Sequence, residues 1–370
     1  MIPLSSIINT FEAEFLARYG NALLPGQRQA LAAMKQCRTA LSPRLQAQCT
    51  ACDAQRFIPH SCGHRACPHC QHHESQQWLQ RQINQLVPGD YFLLTFTLPA
   101  ELRGPAWRHQ RTLYDLMMRC SWATLRTFSR NDRQIRGTPG AIAVLHTHSR
   151  RLDYHPHVHL VMPAAAIDAG TRLWRTKTCP RNAPYLFSHK ALAKVFRARM
   201  LEALAQAGLA LPASHPEKWV VDCQHVGSGE KALVYLGRYL YRGVIREQDI
   251  LACHNGQVTF RFQNSRTRRR QTRTLPGADF LHLLLRHVLP KGLRRARNFG
   301  FLHPNSKRLI QLLHLLFRIN PGRAVAAIRP RPALACLDCG GAMRILRTRI
   351  RPTPPGSDRP TDVTAGAVPM

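Results

Sequence analysis

The stretch Tyr154-His-Pro-His-Val-His-Leu-Val-Met162 limits the fold more than any other part of the chain. Apolar and β-branched residues follow its histidines and Pro163 ends the run, so it reads as a buried strand. Side chains alternate between the faces of a strand, which puts His157 and His159 on the same side. Two strand rises separate their Cα atoms by about 6.6 Å, near enough for both imidazoles to grip one ion. His155 shares that face but lies about 13 Å from His159, so the predicted metal pair is His157 and His159. A lone core histidine is more simply a hydrogen-bonded core residue. Two histidines flanking one hydrophobe on a core strand point to metal.

A buried strand needs neighbours, and the flanking sequence supplies them. Residues 91–98 read as a strand ended by Pro99, 107–128 as a helix, and 141–146 as a second strand before the histidine strand. Residues 187–207 read as a helix stopped by Gly208, 219–223 as a fourth strand, and a last helix starts near residue 229. The order βαββαβ, then α, predicts an α+β chain with a ferredoxin-like antiparallel sheet and helices on one face.

The last helix reads Glu230-Lys-Ala-Leu-Val-Tyr235-Leu-Gly-Arg238-Tyr239-Leu-Tyr241-Arg242. Tyr235 and Tyr239 are four apart and share a helix face, as do Arg238 and Arg242, a pair able to hold a phosphate. Alone, this would be an amphipathic helix burying aromatics against the sheet. Coming after the histidine strand in a ferredoxin-like order, it reads as the other half of a site.

Charge points to the partner. The 370 residues carry 53 Lys and Arg against 20 Asp and Glu, a formal charge of +33. Such a chain predicts a nucleic-acid partner, with phosphate contacts from the cluster that includes Arg268, Arg269 and Arg270. No apolar run reaches the length of a membrane span, and no secretory leader pattern opens the chain, so a cytoplasmic, nucleoid-associated protein is expected.

In that compartment the twelve cysteines read as metal ligands rather than disulfides. Cys49-Thr-Ala-Cys52 and Cys67-Pro-His-Cys70 are two knuckles with fourteen residues between them, which predicts a closed structural zinc site. Cys62, His60, His64, His69 and His72 lie nearby as alternative ligands. Cys336-Leu-Asp-Cys339 is half of such a pair, and either takes ligands from elsewhere or binds nothing. The expected domains are a helical and zinc-binding region (1–88), a nuclease core with a basic extension (89–302), a C-terminal helix with the half knuckle (303–350) and a disordered tail (351–370).

Four stretches carry a resemblance: Ser61-Cys-Gly-His-Arg-Ala-Cys-Pro-His-Cys-Gln71, Leu145-His-Thr-His148 with Tyr154–His159, Tyr235-Leu-Gly-Arg-Tyr239, and His287-Val-Leu-Pro-Lys-Gly292 with Phe299-Gly-Phe-Leu302. In this order the chain resembles the two-tyrosine rolling-circle transposases of the insertion-sequence ninety-one family, within the HUH endonucleases. The resemblance implies a zinc-binding N-terminal domain, a metal-dependent single-strand nuclease core, and nucleophilic tyrosines at Tyr235 and Tyr239. The expected reaction is cleavage and strand transfer of single-stranded element ends and target, through a 5′-phosphotyrosine link. The expected catalytic ion is Mg²⁺ or Mn²⁺, with a third ligand among Gln224, His225 and Glu230. The competing readings are a plasmid replication initiator or relaxase, and a non-catalytic zinc-dependent DNA-binding protein.

Overall fold

The first unit of the chain is built on a seven-stranded antiparallel sheet. The structure, a computed structural model, describes residues 2–168, 170–179, 185–241, 243–264, 267, 269–320 and 334–351, excepting the side chains of Arg238, Tyr239 and Tyr241. Two compact units form, and neither follows chain order: residues 1–35 with 63–330, and 36–62 with 331–370.

In chain order the described strands are β1 (Arg44–Cys49), β2 (Gln55–Pro59), β3 (Tyr91–Thr97), β4 (Thr138–His148), β5 (Tyr154–Pro163), β6 (Ala165–Ile167) and β7 (Trp174–Thr176). They continue with β8 (Val221–His225), β9 (Ile250–His254), β10 (Gln257–Gln263), β11 (Arg270–Pro276), β12 (Ala296–Gly300) and β13 (Met343–Ile350). The helices are α1 (Leu4–Tyr19), α2 (Pro25–Gln36), α3 (His72–Ile83), α4 (Arg103–Arg108), α5 (Gln110–Asn131), α6 (His189–Gln206), α7 (Glu230–Tyr241), α8 (Gly277–Leu285) and α9 (Lys307–Leu316).

The large sheet runs β7-β6-β4-β5-β3-β8, with β12 also paired to β4. Its centre, β4-β5-β3-β8, joined through α5 and α6, is the ferredoxin-like arrangement expected from sequence. Alternation along the strands gives each face its own core. Leu94, Phe96, Val158 and Leu160 pack with Met117 of α5 and Phe196 and Met200 of α6. Ile142, Val144 and Val161 pack the opposite way, with Trp78, Leu79 and Ile83 of α3 and Leu233, Leu236 and Leu240 of α7.

Helices therefore cover both faces, where the sequence reading placed them on one. The α3 segment looks polar in sequence, yet it buries Trp78, Leu79 and Ile83 at positions that share one side of the helix. Helix α7 comes within van der Waals contact of α3 at Gly237, where a Cβ would stand 3.4 Å from the Trp78 ring. A separate sheet, β11-β10-β9, packs on α8 through Phe260 and Phe280, whose rings lie 5.9 Å apart.

The second unit is a three-stranded antiparallel sheet, β13-β1-β2. Strand β13 comes from the far end of the sequence and pairs with β1 over Arg44–Cys49. Of the tail expected to be disordered, residues 352–370 lie outside the described residues.

Candidate metal and tyrosine site

Strand register assembles three imidazoles on one face of the large sheet. His157 of β5 sits opposite His146 of β4, and His159 sits opposite Val144. His146 continues the face of Ile142 and Val144, and His157 and His159 continue that of Val161, so all three lie on the side covered by α7. One ring nitrogen from each lies within 4.8 Å of the others. Their ring centroids are 4.5 Å (His146–His159), 4.9 Å (His157–His159) and 5.1 Å (His146–His157) apart.

Neighbouring groups orient two of the rings. The Nδ1–H of His157 donates to the His155 carbonyl at 2.7 Å, leaving Nε2 as its lone-pair nitrogen. His159 Nδ1 pairs with the Thr95 hydroxyl at 2.9 Å, across the β3–β5 ladder that sets Thr95 opposite His159. Burial pushes the pKa of His157 down to about 4, and those of His146 and His159 well below the usual imidazole range. All three are neutral at pH 7, the form in which imidazole donates to a metal.

His146 was not among the third-ligand candidates. Of those, His225 is half-exposed and pairs with Asp90 at 3.2 Å, while Gln224 donates to Asp222 at 2.7 Å. Glu230 stands in the first turn of α7. His155, set aside from spacing, interacts with Arg103 at 2.7 Å. His146 sits in the quoted motif Leu145-His-Thr-His148, but its place beside His157 depends on a pairing register that one strand's sequence does not state.

Tyr235 reaches the same place from α7. Its ring and that of His159 form a T-shaped pair, with centroids 6.0 Å apart and planes at 87°. Tyr235 also lines an open cavity of about 410 Å³ with His148, Arg150, Arg246, Arg261 and Phe262. Tyr239 lies one turn along the same helix. The side chains of Tyr239 and Arg238, together with Arg242 and Arg268, lie outside the described residues. Arg269 and Arg270 are exposed at the start of β11.

The cysteines do not group as predicted. The thiols of Cys49 and Cys52 come together with those of Cys336 and Cys339, all four within 4.8 Å. Cys67 and Cys70 are not members of this set. They form a buried turn ahead of α3, in which the Cys70 amide donates to the Cys67 carbonyl at 3.3 Å. The reason is the sheet: β1 pairs with β13, and that pairing delivers the supposed half knuckle to Cys49.

No helix among the described residues is long and apolar enough to cross a membrane. Residues 140–309 match the family model described as "Putative transposase", and residues 7–98 match "Transposase zinc-binding domain". The chain is 30% identical to "Putative transposase y4qJ" of Sinorhizobium fredii over 320 residues, covering 78% of this chain and 79% of that one. It is 29% identical to "Transposase for insertion sequence element IS801" of Pseudomonas savastanoi pv. phaseolicola, over 68% of this chain and 64% of the relative. Among solved structures it is similar to the conjugative relaxase TrwC in complex with mutant OriT DNA, at 13% identity over 61% of this chain and 74% of that one. The TM-score of that likeness is 0.26, too low to carry an argument. With a zinc-binding domain ahead of a transposase core, and a relative this similar along most of both chains, the chain belongs to the IS91 family of insertion-sequence transposases.

Proposed function

We propose that this transposase cuts and rejoins single-stranded DNA at the ends of a rolling-circle insertion sequence, with Tyr235 and Tyr239 as nucleophiles. The observation that supports the reading is Tyr235 itself: its ring centroid lies 6.0 Å from that of His159, one of three close, buried imidazoles, and it also lines a cavity with Arg150, Arg246 and Arg261.

His146, His157 and His159 fit one divalent cation: three nitrogen donors, mutually close, with two rings held by outer hydrogen bonds. The donor set suits Mn²⁺ better than Mg²⁺, since imidazole is a soft partner for Mg²⁺. When bound, such an ion supplies charge that polarises the scissile phosphate.

The Tyr235 hydroxyl attacks phosphorus in line with the leaving 3′ oxygen. The tyrosine O–P bond forms and the P–O3′ bond breaks. The phenolic proton leaves the tyrosine and a proton ends on the 3′ oxygen, giving a 5′-phosphotyrosine and a free 3′-hydroxyl. One phosphodiester is exchanged for another, so no nucleotide hydrolysis is needed. Free phenol titrates near 10, so proton loss must accompany attack. Tyr239, one turn away, then makes a second cut before the first link is resolved. Arg150 on the cavity wall and the exposed Arg269 and Arg270 hold the strand through its phosphates. The work is done in the cytoplasm, at the nucleoid.

The test is a denaturing gel for a covalent protein–DNA adduct with a single-stranded terminal oligonucleotide and Mn²⁺. Wild type is expected to give the adduct, each single Tyr→Phe variant to change it, and Tyr235→Phe/Tyr239→Phe to give none. An adduct undiminished in the double variant would end the proposal.

A further inference from the structure

The second unit holds a four-thiol cluster that the cutting reaction does not use. Cys49 and Cys52 close the β1 end of the three-stranded sheet, and Cys336 and Cys339 precede β13, which pairs back along β1 as far as Cys49 opposite Met343. The Cys49 and Cys339 sulfurs are 3.4 Å apart and those of Cys52 and Cys336 are 3.8 Å apart, and all four are free thiols.

We propose that Cys49, Cys52, Cys336 and Cys339 hold one structural zinc ion, in a ribbon assembled from two segments far apart in the sequence. The segment matched by the zinc-binding domain ends at residue 98, so Cys336 and Cys339 lie outside it.

Geometry and local chemistry agree. A zinc–thiolate bond of about 2.3 Å sets the edge of a tetrahedron at about 3.8 Å, close to both sulfur separations. Both knuckles turn through a left-handed residue directly after the second cysteine: Asp53 at φ 56° and Gly340 at φ 71°. The Ala51 amide donates to Cys49 Sγ at 3.4 Å, the kind of interaction that stabilises a thiolate. A Cβ on Gly341 would stand 3.2 Å from Cys339 Sγ and 3.3 Å from Cys49 Sγ, so a glycine lets backbone close over the sulfurs. Among the described residues, the sheet of this unit has a small apolar core. Leu45 and Ala47 are among the few buried apolar residues of its sheet, too small a core to fold two distant segments without a staple. Four protein thiolates leave no open position, which makes the site structural.

The test is differential alkylation of the full-length, zinc-loaded protein with N-ethylmaleimide, before and after chelation, read by peptide mass mapping. Cys52 and Cys339 are exposed, so only an ion would shield them. Cys49, Cys52, Cys336 and Cys339 should react at least tenfold more slowly with zinc than without it, and should become reactive together. Equal rates at Cys336 and Cys339 with and without zinc would overturn the proposal, and so would protection that yields to reductant but not to chelator. Zinc content gives a second readout. Cys336→Ser/Cys339→Ser should lower bound zinc by one equivalent, Cys49→Ser/Cys52→Ser by one, and the quadruple variant by no more than one. Losses that add to two would show separate ions.

Discussion

The rings of Tyr235 and His159 stand perpendicular, 6.0 Å between centroids, and β3 backs that imidazole with the hydroxyl of Thr95. Helix, central strand and neighbouring strand thus meet at one ring. Tyr235 on α7 and His159 on β5 keep their separation only while α7 stays seated on the sheet. The buried Leu233, Leu236 and Leu240 seat it.

Thr95→Val should keep the fold and loosen the site. The swap removes one hydrogen bond to His159, the imidazole proposed to hold the ion, and removing such a partner of a metal ligand typically costs about 10–100-fold in metal affinity or activity. Mn²⁺ titration by calorimetry should show weaker binding of that order, with an unchanged melting temperature in chelator. Unchanged affinity would remove Thr95 from the site.

His146→Ala and His225→Ala separate the third-ligand candidates. The first should weaken Mn²⁺ binding at least tenfold and abolish cleavage, as His157→Ala should. The second should leave both within about twofold, because His225 is engaged with Asp90. The reverse pattern would reassign the ligand.

Stability should fall on acidification, partly through His287. Burial holds this ring's pKa down to about 4, and its Nε2–H donates to the Leu152 carbonyl at 3.0 Å. An unfolded histidine titrates near 6.5, so the neutral ring's contribution is complete above that pH. It is lost as pH drops from about 6.5 towards 4, by about 3 kcal/mol at most. Urea midpoints followed from pH 7 to pH 4.5 should fall more steeply for wild type than for His287→Asn. Parallel curves would show that the ring is not protonated on unfolding.

Gly300→Ala should destabilise the β12–β4 pairing. Gly300 has φ 59°, and a Cβ there would lie 1.7 Å from the Pro139 carbonyl oxygen. Backbone must move, at a cost of about 2 kcal/mol or more. Thermal unfolding should show a melting temperature several degrees lower. Gly256→Ala makes a useful control. It shares a positive φ but has open space around it, so the change should be smaller.

Arg269→Gln/Arg270→Gln should weaken single-strand binding without sequence preference. Every phosphate that an arginine no longer neutralises lowers the slope of log affinity against log salt by about 0.7. For two arginines, binding isotherms across a salt series should give a slope smaller by up to about 1.4. An unchanged slope would free both residues from the DNA path.

Much of this protein was legible in the residues themselves. Alternation along 154–162 determined that His157 and His159 share a face, because side-chain direction in a strand is a local property. The βαββαβ order determined the four central strands of the sheet but not β6, β7 and β12 at its flank, since consecutive elements joined by a turn or a helical crossover have few ways to pair. What no single stretch could state was which partner lies alongside. His146 joined the histidine pair only through the β4–β5 register, and Cys336 and Cys339 joined Cys49 and Cys52 only through the pairing of β1 with β13. A ligand's residue type and near neighbours are written locally, but an ion's coordination shell closes in space. Pairings between segments hundreds of residues apart are decided by the tertiary fold.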